Sequence, residues 1–220
     1  MSKRLRTPLL HELYHQYLVD QNSETFRSGV ARRYTIGTLE RLSSDGDRMA
    51  RRAAILALGA LGDFGSNAAL GRALQDTDRG VRILADNAIR LLWCRAGTPK
   101  QRNRLDAAVE LNGARRFQEA IDEATRLITE APSLAEAWNQ RALALFSLGR
   151  FAESIRDCIQ ALEINPYHFG AATGMAQCYL QTSNRTKALE SFRRALKLNP
   201  SLEGVRAHVL YLQRTLKSQE

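Results

Sequence analysis

The chain has 220 residues, 44% of them hydrophobic and 25% charged, with a formal net charge of +9. That balance belongs to a soluble globular protein with room for one large domain or two small ones, and it excludes a disordered chain. Its three cysteines, Cys94, Cys158 and Cys178, are odd in number and far apart. They exclude a disulfide framework and a Cys-rich metal site, and fit a reducing compartment, here the cytoplasm.

The first residues, MSKRLRTPLL, are basic, but the apolar positions after them are interrupted by His, Glu, Gln and Asp. Neither a secretion signal nor a membrane span is expected. Thr7–Pro8 reads as an N-cap followed by proline at the first helical position, so a helix starts here. Within it HELYH, residues 11–15, matches the H-E-x-x-H pattern of zinc peptidases letter for letter. On a helix His11 and His15 share a face, and Glu12 would act as base for a zinc-bound water. Leu10, Leu13, Tyr14, Tyr17 and Leu18, however, make one apolar stripe with the histidines beside it. A zinc peptidase also needs a third ligand, an open coordination position and a substrate cleft. Glu40 stands at a tolerable spacing for that ligand but sits beside Leu39 and Leu42, where a solvated charge is expected. The helix is read as a cap on the elements that follow. No catalytic residue, metal ligand or cofactor is assigned.

Next comes a period of 31 residues. DGDRMARRAAILAL, residues 45–58, aligns with DTDRGVRILADNAI, residues 76–89. Asp45 matches Asp76, Asp47 matches Asp78, Arg51 matches Arg82, Ala54 matches Ala85 and Ala57 matches Ala88. The phrase ALGALGDFGSNAALGRALQDTDRGVR, residues 57–82, carries A-L-G-x-L-G-D and D-x-D-x-x-V-R signatures. It resembles the short, bilin-lyase-type class of HEAT repeats, with two repeats at roughly 24–63 and 64–95. The first has a poorer leading helix, with Gly29 and Gly37 inside it. The aspartates are expected to cap the second helices, and Arg51 and Arg82 to form an Asp–Arg ladder between stacked repeats.

Gly97–Thr98–Pro99–Lys100 interrupts two helical patterns and marks the boundary. Beyond it Pro132, Pro166 and Pro200 lie 34 residues apart, the mark of stacked supersecondary units. The phrases QALEINP and RALKLNP close the two best copies. Trp138, Ala142, Leu145, Gly149, Phe151, Ala161 and Pro166, then Ala176, Tyr179, Ala188, Phe192, Ala195 and Pro200, fall on signature positions. On these residues the half resembles the tetratricopeptide repeat family. Ser154 replaces the usual Ala, and Ser183 stands where Gly149 stands in the copy before. A weaker first repeat covers about 101–132, with Arg104 in the place of Trp138. A last amphipathic helix, from about Leu202 to Lys217, would cap the open end.

The expected architecture is therefore all-α: an α-solenoid of stacked antiparallel helix pairs, HEAT-like over residues 1–97 and tetratricopeptide over 98–220. The resemblance implies a non-catalytic scaffold that binds a protein or peptide partner, with no membrane association. In tetratricopeptide proteins the ligand lies along the first helices of the pairs. Carried over, those positions are Asn139, Leu143 and Phe146, then Thr173, Gln177 and Leu180, joined by Tyr211. Phe146 and Leu180 are either lining or core. Gly170, Thr173 and Gly174 hold no basic clamp for a terminal carboxylate. The alternative is nucleic-acid binding through Arg48, Arg51, Arg52, Arg79 and Arg82, against which stand the interspersed acids and the missing aromatics.

Overall fold

The computed structural model describes residues 8–217, in which every helix of more than one turn is an α-helix and no strand occurs. The chain is an α-solenoid that divides into two compact units, residues 1–92 and 93–220.

In the N-terminal unit α1 (Leu9–Asp20) packs on α2 (Ser23–Ala31) and α4 (Arg48–Leu61), and α3 (Ile36–Asp45) pairs with α4. α5 (Asn67–Ala73) and α6 (Arg79–Cys94) follow. Thr7 lies outside the described residues. Pro8, expected at the first helical position, is itself the N-cap. Along α1 Leu10 and Tyr14 are buried and Leu13 and Tyr17 half-buried, but Leu18 is 47% exposed. The apolar stripe is narrower than its spelling because, among the described residues, α2 and α4 provide most of the cover on this helix. The poor leading helix of the first repeat is in fact two helices, α2 and α3, separated by a turn. Thr35 restarts the chain by accepting the Thr38 N–H at 3.2 Å.

The 31-residue period has a physical basis in hydrogen bonds. Asp47 accepts the Ala50 N–H and Asp78 the Val81 N–H, each at 2.9 Å, so both aspartates cap their helices as expected. Arg51 donates to the Gly46 carbonyl at 3.1 Å, and its counterpart Arg82 to the Thr77 carbonyl at 3.0 Å. The expected ladder exists at Arg51, which reaches across to Asp76, but not at Arg82, whose guanidinium is held by the Asp76 and Thr77 carbonyls of its own repeat. Fully buried Leu39, Ile55, Leu58, Leu70, Leu74 and Ile89 supply the apolar core. Gly59 is needed where α4 meets α6, since a Cβ there would lie 2.8 Å from that of Ala88.

The C-terminal unit holds α7 (Pro99–Gly113), α8 (Phe117–Glu130), α9 (Ala135–Ser147), α10 (Phe151–Ile164), α11 (Phe169–Gln181), α12 (Arg185–Leu198) and α13 (Glu203–Lys217). Thr98 and Gln101 form a capping box that starts α7, with Pro99 in its first turn, where no N–H is missed. The turns inside the three pairs each contain one left-handed residue: Arg115 (φ 60°), Gly149 (φ 75°) and Ser183 (φ 59°). The turns after the second and third pairs reuse the Asn-Pro phrase, where the first has Ala131–Pro132. Asn165 accepts the Tyr167 N–H at 3.1 Å and Asn199 the Ser201 N–H at 3.0 Å, while the following proline holds each Asn in extended backbone.

Small residues let neighbouring helices close up: Ala142, Ala161, Ala172, Ala176, Ala188 and Ala195 are all buried around Phe192. Ser154, which stands where the neighbouring repeats have Ala120 and Ala188, donates to the Ala142 carbonyl at 2.8 Å and accepts the Cys178 thiol at 3.2 Å. Arg104, where the next repeat has Trp138, bridges Glu123 at 2.9 Å and Glu130 at 3.4 Å instead. Helix α13 closes the stack by laying Val205, Val209 and Leu212 on α12 and the core beneath it.

Candidate functional site

In the C-terminal unit the first helices of the pairs pack along one another, α7 on α9 and α9 on α11, more closely than the second helices do. In a stacked array the layer with the closer neighbours lies inside the curve, so α7, α9 and α11 line a concave face. Leu143 on α9 is 48% exposed, and Gln177, 34 positions on, is exposed on α11. Tyr211 on α13 continues that register and is 63% exposed. Sequence reasoning missed the first member of the row, Val109 on α7, which is 40% exposed. The 34-residue register run backward from Leu143 would have found it.

The remaining expected residues flank this row. Phe146 is half-buried, its ring 5.6 Å from that of Phe151. Leu180 is half-buried against the core around Phe192. Thr173 is half-buried and donates to the Phe169 carbonyl at 2.9 Å. Asn139 is half-buried and donates its amide to Glu136 at 3.0 Å.

Glu136 opens a buried polar network that the sequence did not announce. It is 7% exposed and also accepts the Gln140 amide at 2.7 Å. Its other oxygen lies 2.9 Å from His168 Nε2, and His168 is 1% exposed. His168 Nδ1 accepts the Ala171 N–H at 3.0 Å, capping α11. A nitrogen that accepts carries no hydrogen, so Nε2 is the protonated atom and donates to the carboxylate. Trp93 stacks on the imidazole with ring centres 4.3 Å apart and lies 5.2 Å from Phe169. Burial pushes the Glu136 carboxyl upward, but hydrogen bonds from His168, Gln140 and Asn139 outweigh it and hold the group below its ordinary value.

A cavity of about 220 Å³ between α8, α9 and α10 is lined in part by Arg141, Arg150, Glu153 and Asp157. Arg141 is bound to Asp157 and Arg150 to Glu153, so much of its charge is spent internally. The HELYH residues have structural surroundings. His11 Nε2 lies 3.2 Å from Asp47, the cap of α4, and His15 is exposed. Glu40 accepts the Ser66 hydroxyl at 2.8 Å. Among the described residues no three His, Cys, Asp or Glu side chains gather at one point, and no helix is long and apolar enough to cross a membrane.

Two tetratricopeptide-repeat family models match, one at residues 135–168 and one at 171–202. Residues 135–202 are tetratricopeptide repeats. A tetratricopeptide-repeat-containing protein of Rhizobium etli is 32% identical over 127 residues, which are 58% of this chain and 61% of that protein. Sperm-associated antigen 1 of Mus musculus is 29% identical over 104 residues, 47% of this chain and 11% of that protein. The chain thus spans less than two thirds of either relative. Among solved structures, the first tetratricopeptide domain of Spaghetti bound to an HSP90 peptide superposes with a TM-score of 0.53 at 21% identity. It covers 55% of this chain and 96% of that one, and the likeness is one of fold.

Proposed function

We propose that the chain is a non-catalytic interaction scaffold whose concave tetratricopeptide face holds an extended segment of a protein partner. The observation that carries this is the row Val109, Leu143, Gln177 and Tyr211, three of them large apolar side chains left open on an inner face. Asn139, Phe146, Thr173 and Leu180 complete the groove. The Spaghetti domain, which shares the fold, holds a peptide of HSP90, and this supports reading the same face as a peptide site.

Residues 98–220 then form the binding module, three tetratricopeptide repeats and a capping helix. Residues 1–97 form an N-terminal capping helix and two HEAT-like repeats, and the protein works in the cytoplasm. The arginines of those repeats favour a protein partner over a nucleic acid. Arg51 and Arg52 are each clasped by an aspartate, and Arg82 is spent on carbonyls. Side chains committed in this way are poorly placed to neutralise phosphates.

The test is a cross-linking capture by the intact chain from a lysate of the source cell, repeated with Leu143→Asp plus Tyr211→Asp and with Arg48→Glu plus Arg79→Glu. The first pair should abolish recovery of the wild-type partner and the second should leave it unchanged. The opposite pattern places the ligand on the N-terminal unit and refutes the reading.

A further inference from the structure

Three polar side chains on the first helices of the groove each direct a hydrogen inward. Thr173 Oγ1 donates to the Phe169 carbonyl at 2.9 Å, and Ser147 Oγ to the Leu143 carbonyl at 3.0 Å. A carbonyl oxygen only accepts, so each hydroxyl is left with lone pairs to offer. Asn139 presents an acceptor by another route, although one of its two amide hydrogens stays unspent. Its Nδ2 donates to Glu136 Oε1, and an ionised carboxylate has no hydrogen to give back, so this amide cannot be turned over. Its Oδ1 carries no hydrogen bond among the described residues. That oxygen faces Gly170, where an added Cβ would stand 3.9 Å away, so the missing side chain leaves the acceptor uncovered.

Glu136 sets the orientation of the Asn139 amide, while the two hydroxyls are held by carbonyls of their own helices. His168 gives Glu136 a neutral imidazole N–H, Gln140 and Asn139 give it amide hydrogens, and among the described residues no Lys or Arg touches it. One negative charge therefore lies under the groove between α9 and α11 without a cation beside it. A carboxylate entering there would meet that charge and a set of acceptor atoms. An N–H would meet its complement.

Resting on the groove reading, we propose that Glu136 is the specificity determinant of this face. By keeping a buried negative charge and fixing the Asn139 oxygen as an acceptor above it, it selects apolar-anchored segments that present N–H donors, neutral or cationic, and rejects those bearing Asp, Glu or a free terminal carboxylate. The acidic peptide SRMEEVD, held by the Spaghetti domain, is of the class this groove excludes.

The experiment is selection of displayed heptapeptides, drawn from a random library, on the intact protein and on Glu136→Gln, with folding checked by circular dichroism. Peptides selected by the wild type should carry Asp and Glu roughly fivefold below the input, and Glu136→Gln should bring them back towards it. Enrichment with Asp and Glu at or above input, or a bias that Glu136→Gln leaves unchanged, overturns the inference alone. No enrichment by the wild type, or enrichment that survives Leu143→Asp, overturns the groove reading itself. Should Glu136→Gln fail to fold, Asn139→Leu removes the acceptor directly. Selected peptides should then lose any excess of Asn, Gln, Lys and Arg, and an excess that persists refutes the proposal.

Discussion

Arg51 on α4 grips Asp76, which precedes α6, with two prongs: Nε to Oδ2 at 2.7 Å and Nη2 to Oδ1 at 3.0 Å. Arg52 grips Asp78 in the same manner at 2.7 and 2.8 Å. Asp78 in turn caps α6, and its own N–H is accepted by Asp76 at 2.7 Å. The two 31-residue repeats are thus tied by one connected cluster of charge-assisted hydrogen bonds as well as by apolar contact. Only the first rung was legible in the period; the second, through Arg52, was not.

Because the Arg51 and Asp76 side chains are only 19% and 11% exposed, their loss exceeds that of a surface pair. Arg51→Ala should cost about 2 kcal/mol, since charge-assisted hydrogen bonds vanish and Asp76 is left under-satisfied. Amide hydrogen exchange across residues 48–61 of the full chain measures it, and adding Asp76→Ala should cost less than the two changes summed. Unaltered exchange in Arg51→Ala would show that the ladder is ornamental.

Acid should loosen the same junction. The Arg52 guanidinium, opposed by partial burial, pulls the Asp78 carboxyl from 3.8 down to about 2. The unfolded chain then binds more protons than the folded one between those values, so the stabilisation is complete above 3.8 and is lost as pH falls towards 2. Urea midpoints followed by far-ultraviolet circular dichroism should fall across that window, and Arg52→Gln should flatten the fall.

The turns offer stabilising substitutions. Arg115 and Ser183 occupy left-handed backbone that their counterpart Gly149 adopts without a Cβ. Ser183→Gly and Arg115→Gly should each raise stability by about 0.5–1 kcal/mol, and Gly149→Ala should lower it by about 1 kcal/mol. Thermal melts of the three variants decide it; a loss on Ser183→Gly would mean that the turn depends on the serine side chain.

Groove variants should separate binding from folding. Leu143→Ala and Tyr211→Ala remove exposed side chains, so they should shift stability by no more than about 0.5 kcal/mol while weakening capture of the partner by about 1–3 kcal/mol. Asn139→Ala should differ from both, costing about 1 kcal/mol of stability because buried Glu136 loses a donor. Melting curves beside titration calorimetry with the captured partner distinguish the two behaviours.

Local chemistry is written directly into the order of residues. Proline and asparagine at 34-residue spacing dictate where helices stop, Gly149 where the chain must turn left-handed, and Asp47 and Asp78 where helices begin. Each depends only on neighbours in sequence. The row through Leu143, Gln177 and Tyr211 is legible for a related reason, since a repeat carries its faces along with its period. HELYH shows the limit of such reading. Its spacing alone admits a zinc helix, the apolar stripe beside it already points to a cap, and only packing sets His11 beside Asp47. The buried Glu136 network lies further out of reach. Glu136, His168 and Trp93 sit at positions their sister repeats do not share, so no period marks them. They come together only where the stacked helices and the start of the C-terminal unit converge. There the charge on Glu136 is fixed by three neutral donors whose presence depends on tertiary structure alone, and that charge decides which way the amide of Asn139 points.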